Sequence, residues 1–318
     1  MDILITEDLL HPAIDRLAAR HSVTREPGLW QDPARLAAAA AGARTLMIRN
    51  QTKVTAELIA AAPDLVGIGR VGVGLDNIDL AAAARRGIVV VAPLSANAVS
   101  VAELTLGLLL ALARKIPLGD RTTKAGGWDR RGCTGIELEG KTLGICGFGR
   151  IGRLVAARAR AFGLRVAAYD PFLAGDPGAC EAGGAVACAS LEELLASADF
   201  VTLHLPLTPD TAKLIDARRL ALMKPGAFLI NTSRGGIVDE VALEAALRGT
   251  RLAGAALDVR ETEPPGAPGG LESLPNVILT PHIGAFTQEA QTRSFEAVAE
   301  DLERLLAGQP ALNAVPPA

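Results

Sequence analysis

The sequence predicts an α/β protein with two doubly wound parallel sheets. Short runs rich in β-branched residues alternate with alanine-rich helical segments through the first 95 residues, and the alternation resumes at Lys141. Such alternation is typical of βαβ units, whose strands pair in parallel. A chain of 318 residues, 49% of them hydrophobic, is also long enough to form a core in each of two domains.

The first domain is predicted from five strand-like runs that are separated by helical segments such as "LAAAARR". In chain order the runs are "DILI", "HSVT", "RTLMI", "LVGIG" and "GIVVV". A long apolar helix is predicted over residues 97–114, and we expect it to connect the two domains.

The second domain is predicted from the strand-like runs "KTLGIC", "RVAAYD", "DFVTLHL", "AFLINTS", "LAGAALDV" and "NVILTPH". Ser190 and Glu193 have the spacing of a capping box ahead of "LEELLASA", and Asp239 is placed to cap the helix "EVALEAALR". The last helical segment, from about residue 287, is predicted to return to the first domain.

Charge and composition exclude several classes of protein. A net charge of −3 and a pI near 5.9 offer no general attraction for nucleic acid or an acidic membrane surface. The start "MDILITEDLL" lacks the basic region of a signal peptide, and the longest apolar region contains Glu103 and stops short of a membrane span. A cytoplasmic protein is therefore predicted. The four cysteines have no CxxC spacing, which predicts buried free thiols and no metal site.

A glycine motif follows the first strand of the second domain. Gly147, Gly149 and Gly152 have GxGxxG spacing and lie between that strand and a helix. Backbone N–H groups and the helix dipole at such a junction can bind a pyrophosphate without a cationic side chain. The motif alone is weak, because glycines also form tight turns, but its position between strand and helix favours a dinucleotide site.

Asp170 ends the next strand, 18 residues after Gly152. A carboxylate there would accept hydrogen bonds from a ribose diol and would repel a 2′-phosphate. Neither Pro171 nor Phe172 supplies a cation that would offset this repulsion, so NAD is favoured over NADP. The alternative is that Asp170 only caps the turn that begins at "DPF".

Three charged or titratable residues follow strands of the second predicted sheet. Arg234 follows "AFLINTS", Glu263 lies in the loop after Asp258, and His282 ends "NVILTPH". Ligands of open α/β sheets bind at the carboxyl ends of the strands, so these side chains are expected to converge. A guanidinium that binds a carboxylate, an imidazolium that protonates a forming alkoxide and a carboxylate that holds the imidazolium would reduce a 2-oxo acid. Each residue alone could instead be an ordinary surface or packing residue, with Arg234 paired to an acid such as Asp239.

Four blocks, "GICGFGRIG", "NTSRGGIVDE", "GAALDVRETEP" and "LTPHIGA", resemble the signature blocks of the D-isomer-specific 2-hydroxyacid dehydrogenases. The resemblance covers essentially the whole chain. It implies a Rossmann-type NAD domain over residues 97–284, inserted into a flavodoxin-like substrate domain formed by residues 1–96 and 285–318.

The same resemblance implies functional residues. Arg234, Glu263 and His282 would be catalytic, and the chain would form a homodimer through its NAD domains. The implied cofactor contacts are Arg150, Ile151, Asp170, Leu205, Thr232, Asp258 and Ala285.

A second candidate binding region lies in the first domain. Gly72, Val73 and Gly74 follow a strand, and their N–H groups could bind a carboxylate, although a packed turn would have the same composition. Arg49 and Arg70 also follow strands of this sheet and are expected to face the interdomain cleft. There they would bind a second anionic group of the substrate, unless they are surface arginines paired with acids.

Within the family, the blocks are most similar to the 3-phosphoglycerate dehydrogenase branch, which makes 3-phosphoglycerate the first substrate hypothesis. "GGWDRR" is similar to a segment that reaches across the dimer in that branch, and this implies that Arg130 contacts the substrate of the partner subunit. Because the chain ends at Ala318, a C-terminal serine-sensing domain is not expected.

Other substrates and one other class of function are left open. Sulfolactate and hydroxypyruvate or glyoxylate reductases remain alternatives, because nothing in "APLSANAVSVAE" fixes the substrate. An NAD(H)-sensing protein similar to the corepressors that resemble this family is the alternative of another class.

Overall fold

The computed structural model describes residues 1–173, 177–266 and 269–316, and the chain forms two compact units. One unit contains Met1–Asn97 and Ala285–Ala318, and the other contains Ala98–Gly284. Residues 317 and 318, which end the predicted substrate domain, lie outside the described residues.

The first 97 residues alternate parallel strands with helices. Their elements are β1 (Ile3–Ile5), α1 (Pro12–Ala18), β2 (Val23–Arg25), α2 (Pro33–Ala40), β3 (Thr45–Ile48), α3 (Ala56–Ala61), β4 (Gly67–Arg70), α4 (Leu80–Arg85) and β5 (Val89–Val91). The strands pair in the order β2-β1-β3-β4-β5, and every pair is parallel. This is the flavodoxin-like strand order, so the predicted fold of this unit is confirmed.

The second unit contains a larger parallel sheet. Its elements are α5 (Ala98–Ala113), α6 (Ile116–Lys124), β6 (Thr142–Cys146), α7 (Arg150–Ala161), β7 (Arg165–Tyr169), α8 (Pro177–Ala182), β8 (Val186–Ala187), α9 (Leu191–Ser197), β9 (Phe200–Leu203), α10 (Ala217–Leu222), β10 (Ala227–Asn231), α11 (Glu240–Arg248), β11 (Leu252–Leu257) and β12 (Val277–Leu279). The strand order is β12-β11-β10-β9-β6-β7-β8. The direction of winding reverses between β6 and β9, and a dinucleotide binds at such a point in Rossmann-type sheets.

One further helix, α12 (Gln288–Leu306), belongs to the first unit and packs on its sheet. Glycines of β4 allow this close packing. A Cβ added to Gly67 would lie 2.6 Å from Leu305 Cδ1, and one added to Gly69 would lie 2.6 Å from Val298 Cγ1. The helix therefore covers the centre of the five-stranded sheet.

The predicted helix starts agree with the structure in most details. Ser190 Oγ accepts a hydrogen bond from Glu193 N at 3.1 Å, and Asp239 Oδ1 accepts one from Ala242 N at 3.0 Å. The Glu193 carboxylate, however, accepts from Ala189 N at 2.7 Å, one residue earlier than in a standard capping box.

Helix α6 was not predicted from the sequence. Its sequence "IPLGDRTTK" contains Pro117, Gly119 and two threonines, residues of low helix propensity, and none of its residues is buried. Across the described parts of the chain, no helix has both the length and the apolar character that a bilayer crossing requires.

Candidate active site

The glycine loop after β6 leaves an open approach to the start of α7. Gly147 has φ +91°, a conformation that favours glycine, and a Cβ on Gly152 would lie 2.3 Å from Gly147 O. Gly149 is the N-cap residue of α7, and a Cβ there would have no atom within 4 Å. Two of the glycines thus permit a tight turn and close helix packing, while Gly149 leaves the space in front of the N-terminal amides open to an anion.

Asp170 links the glycine loop to the end of β7. Its Oδ2 accepts a hydrogen bond from Phe148 N at 2.9 Å, and its Oδ1 accepts one from Phe172 N at 3.0 Å. The turn-capping alternative is therefore present in the structure. It does not exclude ribose binding, because each carboxylate oxygen can accept a second hydrogen bond.

The other predicted cofactor residues of the second unit lie around these strand ends. Arg150 is exposed at the start of α7, and Ile151 beside it is half-buried. Leu205 follows β9, and its Cδ2 would lie 2.9 Å from a Cβ on Gly147. Thr232 follows β10, and its buried hydroxyl lies 2.9 Å from that of Thr105.

Ala285 is the predicted cofactor residue that belongs to the first unit. It is half-buried, and its carbonyl oxygen accepts a hydrogen bond from Gln291 Nε2 at 2.8 Å.

Arg234 follows β10 in a turn that is held by Asn231. The buried Asn231 amide donates to Arg234 O at 2.9 Å, and its Oδ1 accepts from Ser233 N at 3.0 Å. The Arg234 guanidinium is half-buried and donates to Ser233 O at 2.7 Å. Asp239, the acid suggested as its alternative partner, caps α11 and lies 4.0 Å from Lys213 Nζ.

Glu263 and His282 form a direct contact. His282 Nδ1 lies 2.6 Å from Glu263 Oε2, and Glu263 Oε1 accepts a hydrogen bond from Arg260 N at 2.9 Å. The His282 side chain is 43% exposed and the Glu263 side chain is 34% exposed, so the pair is accessible from solvent. The hydrogen bond that was expected from the sequence is therefore present.

The charge of Arg234 also acts on the Glu263 carboxylate. Burial raises the pKa of Glu263, but hydrogen bonds from His282 and Arg260 N, with the charges of His282 and Arg234, outweigh burial and lower it overall. A lowered pKa keeps the carboxylate ionised at neutral pH, where it can hold a proton on His282 Nδ1. The direct contact is between Glu263 and His282, and Arg234 acts on Glu263 through its charge.

Asp258 holds the turn that carries His282. Its buried carboxylate accepts hydrogen bonds from Thr280 Oγ1 at 2.6 Å and from the backbone N–H groups of Ile283 and Gly284, each at 2.8 Å. His282 N donates to Asp258 O at 2.8 Å, and His282 has φ +55°. This supporting function was missed from the sequence, where Asp258 was interpreted only as a cofactor contact.

Arg49 and Arg70 follow neighbouring strands of the first unit. Arg70 ends β4 opposite Ile48 of β3, and its guanidinium folds over Gly72, where a Cβ would lie 1.5 Å from Nη1. Gly72 N donates to Arg70 O at 2.9 Å, so one of the three N–H groups predicted for an anion nest is already hydrogen-bonded. Val73 and Gly74 lie in the same partly exposed loop.

The backbone of Arg49 is fixed from both sides. Glu7 is only 3% exposed and accepts hydrogen bonds from Arg49 N, Gln51 N and Thr52 N at 2.8, 3.1 and 3.0 Å. Asn77 Nδ2 donates to Arg49 O at 3.0 Å and to Thr52 O at 2.7 Å. This function of Glu7 could not be predicted from the sequence, because the N–H groups that it binds lie 42 to 45 positions away in the chain.

The Arg49 side chain is partly desolvated. Its guanidinium lies 4.2 Å from the centre of the Phe286 ring. Burial lowers the pKa of Arg49, and the charge of Glu7 opposes this only in part. Arg130, the remaining predicted substrate residue, is exposed in the second unit, two residues from Trp128, which is 80% exposed.

Known proteins resemble this chain over nearly its full length. Residues 106–284 match the family model for the NAD binding domain of D-isomer specific 2-hydroxyacid dehydrogenases. The D-3-phosphoglycerate dehydrogenase of Methanocaldococcus jannaschii is 45% identical over 313 residues, which are 98% of this chain but only 59% of that protein. The (S)-sulfolactate dehydrogenase of Chromohalobacter salexigens is 44% identical over 305 residues, which are 96% of this chain and 98% of that protein. Among solved structures, the TT0316 protein of Thermus thermophilus has a TM-score of 0.90 and 39% identity, with 99% of this chain and 100% of that chain covered.

Proposed function

The chain belongs to the D-isomer-specific 2-hydroxyacid dehydrogenases, and on this basis we propose that it is an NAD-dependent oxidoreductase that interconverts a small D-2-hydroxy acid and its 2-oxo acid. The observation that carries the proposal is the 2.6 Å contact between His282 Nδ1 and Glu263 Oε2. Arg234, whose charge acts on the same carboxylate, completes the set.

Each of these residues has a distinct function in the proposal. Glu263 holds the proton on Nδ1 of His282, so Nε2 is the ring nitrogen that gives a proton to the substrate oxygen or takes one from it. Arg234 binds the substrate carboxylate, because a guanidinium forms paired, charge-assisted hydrogen bonds with a carboxylate. When NAD is bound, its nicotinamide supplies the hydride or accepts it.

The residues of the glycine loop fit a dinucleotide. The open space at Gly149 would admit the pyrophosphate to the N-terminal amides of α7, and the free acceptor positions of Asp170 would bind the ribose. A 2′-phosphate would be repelled by the same carboxylate, so we propose NAD rather than NADP.

We propose that the substrate carries a second anionic group, with 3-phosphoglycerate the first candidate. Arg49 supports this assignment, because a desolvated guanidinium with a fixed backbone suits a phosphate or sulfonate better than an uncharged head. Sulfolactate is the second candidate, since its dehydrogenase from C. salexigens matches this chain over 98% of its own length.

A substrate panel tests the proposal. NADH oxidation would be followed with phosphohydroxypyruvate, sulfopyruvate, hydroxypyruvate and glyoxylate, and each assay would be repeated with NADPH. We expect turnover with NADH, highest with one of the two doubly anionic acids. If no acid is reduced, the oxidoreductase proposal is wrong, and a protein whose binding to a partner depends on NADH becomes the hypothesis to test.

We also propose a homodimer formed through the second unit. No residue of α6 is buried, and Ile116 and Trp128 are 54% and 80% exposed, so residues 116–131 offer two apolar side chains among charged ones to a second copy. Arg130 lies in this segment, where a second copy would place it as a partner contact. Light scattering should give twice the mass of the chain, and Trp128→Ala should shift the protein towards the monomer; a monomer in the unaltered protein would contradict the proposal.

A further inference from the structure

The position of the Glu263 carboxylate depends on the loop just before it. Glu263 Oε1 accepts its hydrogen bond from Arg260 N, and Oε2 contacts His282. The peptide group that joins Val259 to Arg260 is therefore the fixed point against which the carboxylate is oriented.

The Arg260 side chain is held by two acids. Its Nε and Nη2 donate to Oε1 and Oε2 of Glu240 at 3.0 and 2.9 Å, and its Nη1 donates to Glu272. The Arg260 and Glu240 side chains are only 14% and 18% exposed. Hydrogen bonding to Glu240, above all, raises the pKa of Arg260. This pair differs from an exposed ion pair, which contributes little, because it is bidentate and largely shielded from water.

Glu240 also holds the next peptide group, which joins Arg260 to Glu261. Its Oε1 accepts a second hydrogen bond from Glu261 N at 2.7 Å. Gly235 lies against the same peptide, where an added Cβ would be 1.9 Å from the carbonyl carbon and oxygen of Arg260. Gly235 follows Arg234 and Glu240 begins α11, so these contacts join the segment that carries Arg234 to the loop that carries Glu263.

We propose that Arg260 and Glu240 are positioning residues that orient Glu263, and through it His282. They touch no reacting atom. They fix Arg260 through its side chain and through the peptide group on its carboxyl side. The N–H group of Arg260 is thereby placed to hold Glu263 Oε1, and this leaves Oε2 in place for the imidazole. The catalytic consequence rests on the proposed function, whereas the orientation of His282 does not.

Glu240→Gln tests this inference, and Glu244→Gln is the matched control. Glu244 lies one turn later on α11 and pairs with Arg248 Nε at 2.7 Å, which is also a contact between glutamate and arginine. In the protein without added cofactor, we expect Glu240→Gln to shift the ¹⁵N resonance of His282 Nδ1. We also expect it to lower kcat by about tenfold or more while KM changes little, because small displacements of catalytic groups cost large factors in rate. Glu244→Gln should change neither quantity.

Arg260→Lys provides a second variant in case Glu240→Gln fails to fold. Lysine keeps the charge but lacks the planar fork that binds both oxygens of Glu240. A folded Arg260→Lys or Glu240→Gln protein with an unchanged His282 resonance and an unchanged kcat would overturn the inference. If the unaltered protein reduces no 2-oxo acid, the proposed function fails, but the resonance still reports whether the two residues orient His282.

Discussion

His282 Nδ1 lies 2.6 Å from Glu263 Oε2, and the backbone segments that carry the two residues are fixed by different parts of the second unit. The buried Asp258 carboxylate holds the turn around His282 through three hydrogen bonds. Arg260 N holds the opposite oxygen of Glu263. The pair is therefore preorganised, with little reorganisation needed before a proton is transferred.

Replacement of His282 by glutamine should abolish most turnover. The proton donor is lost, and loss of a general acid lowers kcat by roughly a hundredfold to ten-thousandfold. The dissociation constant of NADH should change little, since the glycine loop lies on other strand ends. Steady-state kinetics and NADH fluorescence would measure the two quantities. His21→Gln is the control, because His21 lies 3.7 Å from Glu303 in the first unit; equal losses of turnover and NADH affinity in His282→Gln would contradict the acid function.

The lowered pKa of Glu263 predicts a pH dependence of stability. Its pKa is lower in the folded protein than the ordinary value of 4.5, so the unfolded chain takes up the proton first as the pH falls. The stability contributed by the ionised carboxylate is therefore present above the ordinary pKa and is lost as the pH falls through the lowered one. The free energy of unfolding of the unaltered protein, minus that of Glu263→Gln, should decrease as the pH is lowered from 6 to about 3. Urea titrations at a series of pH values would measure it, and a difference that does not vary with pH would show that the carboxylate is not held in this way.

Gly235 is predicted to be required for the close approach of the segment that carries Arg234 to the loop that carries Glu263. A methyl group at this position would overlap the backbone of Arg260, which cannot rotate away as a side chain could. Gly235→Ala should lower the free energy of unfolding by about 1–3 kcal/mol, as overpacking usually does, and should also lower kcat. Gly236→Ala is the control, because its Cβ would meet the flexible Leu207 side chain at 3.1 Å. Equal stability and kcat in the two variants would contradict the prediction.

The parts of the fold that sequence could predict are those with a local signal. The buried strands of both sheets and α5 appear as apolar runs, and Asp239 and Ser190 appear as caps next to their helices. Helix α6 was missed because Pro117, Gly119 and two threonines give its sequence a low helix propensity.

The candidate site divides in the same way. Arg234, Glu263 and His282 could be found because each follows a strand end of one parallel sheet, and parallel strands bring their carboxyl ends together. The Arg260–Glu240 pair could not be found, because it joins residues 20 positions apart through a contact that only the folded chain creates. Glu7 likewise appears as an ordinary acidic residue after β1 until the loop at Arg49 closes around it.

Arg49 should determine selectivity for the anionic head of the substrate. Its loop is held by Glu7 and Asn77, so replacing the side chain by glutamine should leave the backbone in place. A charge-assisted hydrogen bond contributes about 1.5–3 kcal/mol, so KM for the best doubly anionic acid should rise by roughly ten- to a hundredfold. Glyoxylate carries no second anionic group, so its kcat/KM should stay within about threefold of the value for the unaltered protein. That change is smaller than the loss of one charge-assisted hydrogen bond would cause.

Arg44→Gln is the matched control for Arg49→Gln. Arg44 immediately precedes β3 and lies 3.5 Å from Asp2, whereas Arg49 immediately follows the same strand. Ligands of open parallel sheets bind at the carboxyl ends of strands. Arg44→Gln, at the amino end, should therefore change kcat/KM for neither the doubly anionic acid nor glyoxylate. If Arg49→Gln weakened the use of glyoxylate as much as that of the doubly anionic acid, Arg49 would support the loop or the sheet rather than select the substrate. A loss of kcat/KM that is confined to the doubly anionic acid would instead indicate that Arg49 contacts the second anionic group.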